Sequence, residues 1–405
     1  MKKLMDSVKT NFKIFDTTPN LHYFDHAATT FMPKRVMDAW ISYHELIGVS
    51  SNRTGGFLGK QGNISLREGR MQISEFFSAE EAYQLVFTKN ATESLNILAN
   101  GLSSDIQSGD AIIVTELEHH SALLPWMKIA KENGAILIKI PLMQSGNLDY
   151  SILDTMKNLP VKVIASTYIS NVTGSTVDVE LLKKYSKSFN AKFILDISQA
   201  VSSHQLNLSK INADAYALSA HKMYGPKNIG GLFIKNDLIQ QMTPLLLGGG
   251  MVWSTSGKTP TWADGVQRFE AGTFDIGLIL AWREACRFLK ELTYNRIQSH
   301  NNCLYNIIKN KVDTLKNFER IPFGKTSCET ILAIKHKHLH AHDLEQAFSN
   351  QGIILRSGHM CSQPTVSAFG ESSVVRLSWG LCIDQFNLNH LLKTLETLDK
   401  EEVIL

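Results

Sequence analysis

The 405-residue chain has no apolar run of membrane-spanning length, no Cys-x-x-Cys pair, no tract of like charge and no phosphate-loop glycine pattern. Each absence removes a class of protein. A transmembrane helix needs about 20 consecutive apolar residues, and the opening MKKLMDSVKTNFKIFD has two lysines with no apolar stretch behind them to serve as a signal segment. The expectation is a cytoplasmic protein with no membrane contact. Five cysteines, Cys286, Cys303, Cys328, Cys361 and Cys382, are odd in number and widely spaced. That argues against a disulfide framework or a zinc site, and each is by default a buried thiol. The 41 basic and 38 acidic residues, net +3, are dispersed, so nothing argues for nucleic acid, while an acidic small molecule stays open. The glycines of GGFLGK and LGGG fit neither nucleotide-binding spacing. No internal repeat or low-complexity tract is present.

What the chain does have is a succession of short Val-, Ile- and Phe-rich runs: LVFT at 85, AIIVT at 111, AILIKI at 135, VIASTYI at 163, FILDI at 193, AYALSA at 215 and GLFIK at 231. Helix-compatible segments, such as TESLNILANGL, ALLPWMKIAKEN and DVELLKKYSKSF, lie between most of them. Apolar strands alternating with helices predict a seven-stranded, mainly parallel sheet covered on both faces, with ligands at the carboxyl ends of its strands. Beyond the glycine-rich loop at 248–267, long enough to suspect a functional or interface role, the pattern turns to helices at about 277–292 and 295–316. A mixed segment follows from ETILAIKH. This divides the chain into an N-terminal segment (1–20), a large α/β domain (21–285) and a smaller α+β C-terminal domain (286–405).

Polar groups collect at the strand ends. LSAHKMYGPKNIGG places Lys222 where an apolar strand runs out, and burying a lysine costs several kcal/mol unless it is paired or neutral. FTKNATESLN sets Ala91 and Thr92 at a helix start, which favours an anion but is also an ordinary capping sequence. FILDISQA ends a strand on Asp196, with Gln199 three residues on; the carboxylate either meets a cation or caps a following helix. EHHSALLPW offers His119 and His120 at another junction, where packing or capping alone would also account for them. SNVTG supplies Asn171, or simply a turn. KHKHLHAH spaces His336, His338, His340 and His342 at period two, a metal-capable pattern on a strand, although an exposed strand leading to a helix cap is the simpler reading. Converging at one end of the sheet, a ring-stacking histidine, a carboxylate, phosphate ligands and an amine describe a pyridoxal phosphate site.

The ordered set DHAAT, FTKNATESLN, EHHSALLPW, SNVTG, DISQA, SAHKMYGPKNIGG, RFEAGT and RSGHMC, running from about Tyr23 to Trp379, resembles the class V aminotransferase family. Within it the cysteine desulfurases are the nearest match, RSGHMC being similar to the group that holds Suf-type enzymes and selenocysteine lyases. The resemblance implies a fold-type I enzyme that depends on pyridoxal 5'-phosphate. It implies Lys222 as the lysine that carries the cofactor, Asp196 opposite the ring nitrogen, Gln199 at the phenolic oxygen and His119 stacked on the ring. Ala91, Thr92, Ser219 and His221 would hold the phosphate, with Thr273 reaching it from the other subunit of a homodimer. Asn171, Arg376 and Arg356 would bind the substrate, and Cys361 would accept its sulfur. The implied reaction converts L-cysteine to L-alanine and leaves a persulfide, which passes to a sulfur-acceptor protein or a small thiol for uses such as iron–sulfur cluster assembly.

Two departures stand out. Where the family commonly shows Arg-Gly followed shortly by His, the chain reads SNRTGGFLG, with Arg53 in that loop, and HMC replaces a frequent His-His-Cys. These leave L-selenocysteine, or another amino acid acted on by a class V lyase, as alternative substrates. A non-catalytic α/β binding protein is the alternative from outside the enzymes. No metal is expected.

Overall fold

The computed structural model describes residues 8–50, 54–79, 81–324, 326 and 328–400. All seven apolar runs form strands of one sheet: β1 (Tyr83–Thr88), β2 (Ala111–Thr115), β3 (Ile136–Ile140), β4 (Val161–Thr167), β5 (Lys192–Asp196), β6 (Ala215–Ser219) and β7 (Gly230–Lys235). Their spatial order is β1-β7-β6-β5-β4-β2-β3. Only β7 runs against the others. The continuous apolar pattern follows from burial of both faces: along β2, Ile113 packs into one cluster while Ile112 and Val114 pack into another on the opposite side. In β5 Phe193 and Leu195 likewise part from Ile194.

Local chemistry fixes where the helices begin and end. Asn90 starts α1 (Ala91–Gly101) by accepting from the Glu93 amide at 3.0 Å, and Glu93 accepts in return from the Lys89 amide at 2.5 Å, a reciprocal capping pair. His119 caps α2 (His120–Asn133), which stops at Gly134 in the left-handed conformation. Asp178 caps α3 (Val179–Phe189) by accepting from the Leu181 amide at 2.9 Å.

Two helices, Ile276–Leu292 and Tyr294–Thr314, carry the chain to a second sheet, so residue 286 lies inside the first of them. That sheet comprises β8 (Phe318–Arg320), β9 (Ile331–His336), β10 (Arg356–Gly358) and β11 (Val374–Ser378), antiparallel in the order β8-β9-β11-β10. It has its own core around Leu332, Phe348, Leu377 and Leu391. Residues 22–25, placed by the sequence at the start of the large domain, join this second sheet instead: His22–Tyr23 pairs in parallel with Ile353–Ile354, and Asp25 bridges Ser378.

The glycine-rich loop at 248–267 contains an antiparallel pair, Val252–Ser254 with Thr261–Trp262. In the histidine run a helix cap forms, at His340, but the strand before it ends on His336, which is buried rather than exposed and receives the His338 and Leu339 amides on its Nδ1. Among the described residues no cluster of His, Cys, Asp and Glu could hold a metal ion.

Candidate active site

The parallel strands β1, β2, β4, β5 and β6 end on the same side of the sheet, and a cavity of about 490 Å³ opens there. Twelve sequence-predicted residues line it together: Ala91, Thr92, His119, Asn171, Asp196, Gln199, Ser219, His221, Lys222, Arg356, Cys361 and Arg376. Thr273 does not; it is exposed on the loop before the helix at 276. Arg53 lies outside the described residues.

Each side chain is placed by its element. Asp196 is the last residue of β5, and its Oδ1 accepts from the Ser198 amide at 2.9 Å. A turn follows it and no helix, so it caps no helix. Ser219 ends β6 and accepts from the Ala91 amide at 2.8 Å, which leaves its hydroxyl proton free for a ligand. Gly230, opposite Ser219 on β7, lets Asn90 come close: a Cβ there would stand 2.7 Å from the Asn90 Cα. Gln199 donates one amide proton to the Ala27 carbonyl at 2.9 Å and keeps another. Lys222 follows β6 in a short 3-10 turn, with no hydrogen bond or salt bridge to its amine among the described residues.

Electrostatics set the proton states. Burial lowers the pKa of Lys222; Arg376 and Arg356 add to this, while Asp196 and Cys361 oppose it. Burial, reinforced by Lys222, lowers His119 to about 4 and His221 to about 4, so both imidazoles are neutral at neutral pH. Behind them Glu118 is pushed up to about 8 by burial, despite hydrogen bonds from the Thr115 hydroxyl at 2.6 Å and the Thr167 amide at 2.9 Å.

Cys361 is the one exposed cysteine among the five; Cys286, Cys328 and Cys382 are buried and Cys303 is intermediate. Burial raises Cys328 to about 11. The Cys361 backbone is left-handed at φ 55°, as is Met360 at φ 48°, a conformation that costs non-glycine residues about 1–3 kcal/mol each. Three hydrogen bonds hold it: Asn171 Nδ2 donates to the Met360 carbonyl at 2.8 Å, the His120 amide to the Cys361 carbonyl at 2.6 Å, and the Ser362 hydroxyl to the Glu118 carbonyl at 2.7 Å.

Sequence reasoning missed several lining residues: Ala27, Ala28 and Thr29 of the DHAAT stretch, together with Asn90, Ser121, Ser198, Lys227, Asn228 and Met360. Asn90, Ser121, Ser198 and Met360 adjoin a residue that was picked out, whereas Asn228, at φ 60°, is a non-glycine in a glycine-favouring conformation that only the fold reveals.

A lysine, a carboxylate and a histidine set around a helix N-terminus, at the strand ends of such a sheet, define the class of fold-type I pyridoxal phosphate enzymes. A family model for class V aminotransferases matches residues 22–391, and the chain belongs to that family. It is 30% identical over 396 residues to a probable cysteine desulfurase of Staphylococcus aureus (strain N315), covering 97% of this chain and 96% of that one. It is 32% identical over 371 residues to a cysteine desulfurase of Haloferax volcanii, covering 90% and 86%. The apo cysteine desulfurase from Thermococcus onnurineus NA1 superposes with a TM-score of 0.91 at 30% identity, over 98% of both chains. The Escherichia coli cysteine desulfurase CsdA does so with a TM-score of 0.88 at 25% identity, over 97% of this chain and 98% of that one.

The family's cofactor is pyridoxal phosphate, and the cavity fits it. The Ser219 hydroxyl and the start of α1 form an anion cradle, and among the described residues the buried Ser198 hydroxyl has no partner and the Lys222 amine is free beside a strand-end carboxylate.

Proposed function

We propose that the chain is a pyridoxal phosphate-dependent cysteine desulfurase, which converts L-cysteine to L-alanine and keeps the sulfur as a persulfide on Cys361. One observation carries this reading: Lys222, Asp196, His119 and Cys361, which are far apart in the chain, line a single cavity.

Lys222 would be the attachment point of the cofactor, Asp196 would accept from its ring nitrogen, Gln199 would donate to its phenolic oxygen, and the α1 start with Ser219 and His221 would hold its phosphate. The chemistry the group would supply there is an electron-poor ring able to take up charge from the substrate Cα. Arg376, Arg356 and Asn171 orient the substrate through its carboxylate. Lys222, with a lowered pKa, is the base that removes the Cα proton. Neutral His119 would pack on the ring and relay protons. The Cys361 thiolate then attacks the substrate sulfur: the Cys361 Sγ–S bond forms, the Cβ–S bond breaks, and the carbon skeleton gains protons to leave as alanine.

The active form is a homodimer in which Thr273 reaches the partner's phosphate site, and the persulfide passes to an acceptor protein or a small thiol. The exposure of Thr273 and Trp253 on neighbouring loops supports such an interface. Supplying L-cysteine to the holoenzyme should give alanine and sulfide in equal amounts with a reductant present, and borohydride reduction followed by peptide mapping should label Lys222. Label on another lysine would overturn the assignment. Turnover confined to L-selenocysteine would make the protein a selenocysteine lyase.

A further inference from the structure

The two arginines of the cavity stand in a relation that their separation in the chain hides. Arg356 on β10 and Arg376 on β11 are direct partners across an antiparallel pair. Both side chains therefore leave the same face of the sheet, where like charges repel. Arg376 is 2% exposed, and its Nη1 donates to the Asn171 carbonyl at 2.8 Å. Arg356 is 51% exposed. Asp25 joins them. Its Oδ1 accepts from Arg376 Nη2 at 2.7 Å, and its Oδ2 accepts from Arg356 Nε at 3.0 Å and pairs ionically with Arg356 Nη2 at 2.9 Å. The carboxylate is only 7% exposed, and its backbone bridges Ser378, two residues beyond Arg376. Arg376 Nε is buried without a partner among the described residues. No step of the reaction above uses Asp25.

We propose that Asp25 is a positioning residue that determines specificity: it holds the two guanidiniums against their repulsion and reduces this end of the cavity from two positive charges to one. The site then takes an amino acid with a single carboxylate and discriminates against a dicarboxylate. A single carboxylate neutralises the remaining charge, whereas a second one at this end of the cavity would be desolvated with neither arginine left to meet it. The inference rests on the reading of the cavity as an amino-acid site.

The test is calorimetric titration of the holoenzyme with L-alanine and with L-aspartate, in the wild type, Asp25→Asn, Arg356→Gln and the double variant. Asp25→Asn should lower the preference for alanine over aspartate by at least about tenfold, because a full charge is uncovered at close range. Arg356→Gln should move the preference the other way, and the double variant should return to within about threefold of the wild type by charge compensation. A purely structural role would weaken both ligands together and leave their ratio alone. If Asp25→Asn binds both ligands with a ratio within about twofold of the wild type, the proposal falls. Should that variant fail to fold, an unchanged ratio in Arg356→Gln overturns it equally. A wild type that binds neither amino acid would overturn the functional reading as well.

Discussion

Replacing Glu270 with alanine removes the anion on which three separate elements close. Glu270 is 5% exposed, and its Oε1 accepts from Arg70 Nη1 at 2.7 Å and from the Phe87 amide at 2.8 Å. Its Oε2 accepts from Arg70 Nη2 at 2.8 Å. Arg70 lies on the long helix Gly56–Phe76, Glu270 in RFEAGT, and Phe87 on β1 one turn before the cap that begins the anion cradle. Without the carboxylate, a largely buried guanidinium and a β1 amide lose their acceptor. Removing one partner of a buried pair costs about 3–5 kcal/mol. Arg70 keeps the Leu85 carbonyl, stays 4.4 Å from the Phe87 ring centre and is 20% exposed to water. The loss should therefore fall near the lower end, about 3 kcal/mol. Urea denaturation followed by far-UV dichroism, with the slope compared between variants, reads it directly. Replacing both partners with apolar residues, Arg70→Met with Glu270→Leu, should recover most of the loss. A Glu270→Ala protein within about 1 kcal/mol of the wild type, or a double variant less stable than the single, would refute the reasoning.

Gly231→Ala should cost about 1–3 kcal/mol by overpacking, since a Cβ there would stand 2.7 Å from both Leu85 Cδ1 and Trp282 Cη2, while Gly249→Ala, with nothing within 4 Å, should be near neutral by the same denaturation measurement. Three imidazoles outside the cavity, those of His22, His26 and His300, are lowered to about 4, chiefly by burial. Below pH 6.5 the unfolded chain binds protons there that the fold refuses, so stability should hold above about pH 7 and fall as pH drops towards 5. Glu118, raised to about 8, acts in the opposite sense but is one group against three; a stability curve flat from pH 7 to 5 would contradict these burial states. Light scattering should give a homodimer, and a monomer turning over at full rate would rule out a shared site.

How far the sequence carried depended on whether a signal was local. Strands buried on both faces announce themselves as unbroken apolar runs, so all seven were legible within a residue or two. The helix Gly56–Phe76 was not, because GFLGKQG opens it with three glycines and masks its period; Gly59 and Gly69 are there for packing, with a Cβ on Gly69 only 2.7 Å from Ile279 Cγ2. At the site, groups that bring their own chemistry, such as Lys222 and Cys361, stood out by residue type and motif. Asp25 did not, since its meaning arises only when β10 and β11 set two arginines face to face and the stretch at 22–25 crosses beside them. The docking of His22–Tyr23 against Ile353–Ile354 is equally silent, being a contact between the two ends of the chain.

The most direct test of the account is the fate of sulfur in Cys361→Ala. In the proposed reaction, proton removal at the substrate Cα needs only Lys222 and the cofactor, so this variant should retain the cofactor and still bind L-cysteine with a change in the cofactor's absorbance. It lacks the thiolate that receives sulfur. After a single exposure to L-cysteine, intact-protein mass spectrometry should find the wild type heavier by one sulfur atom, lost on treatment with a reducing thiol, and the variant unchanged. Alanine formation by the variant should fall by at least about a hundredfold. Alanine released from L-cysteine at the wild-type rate without Cys361 would contradict the account.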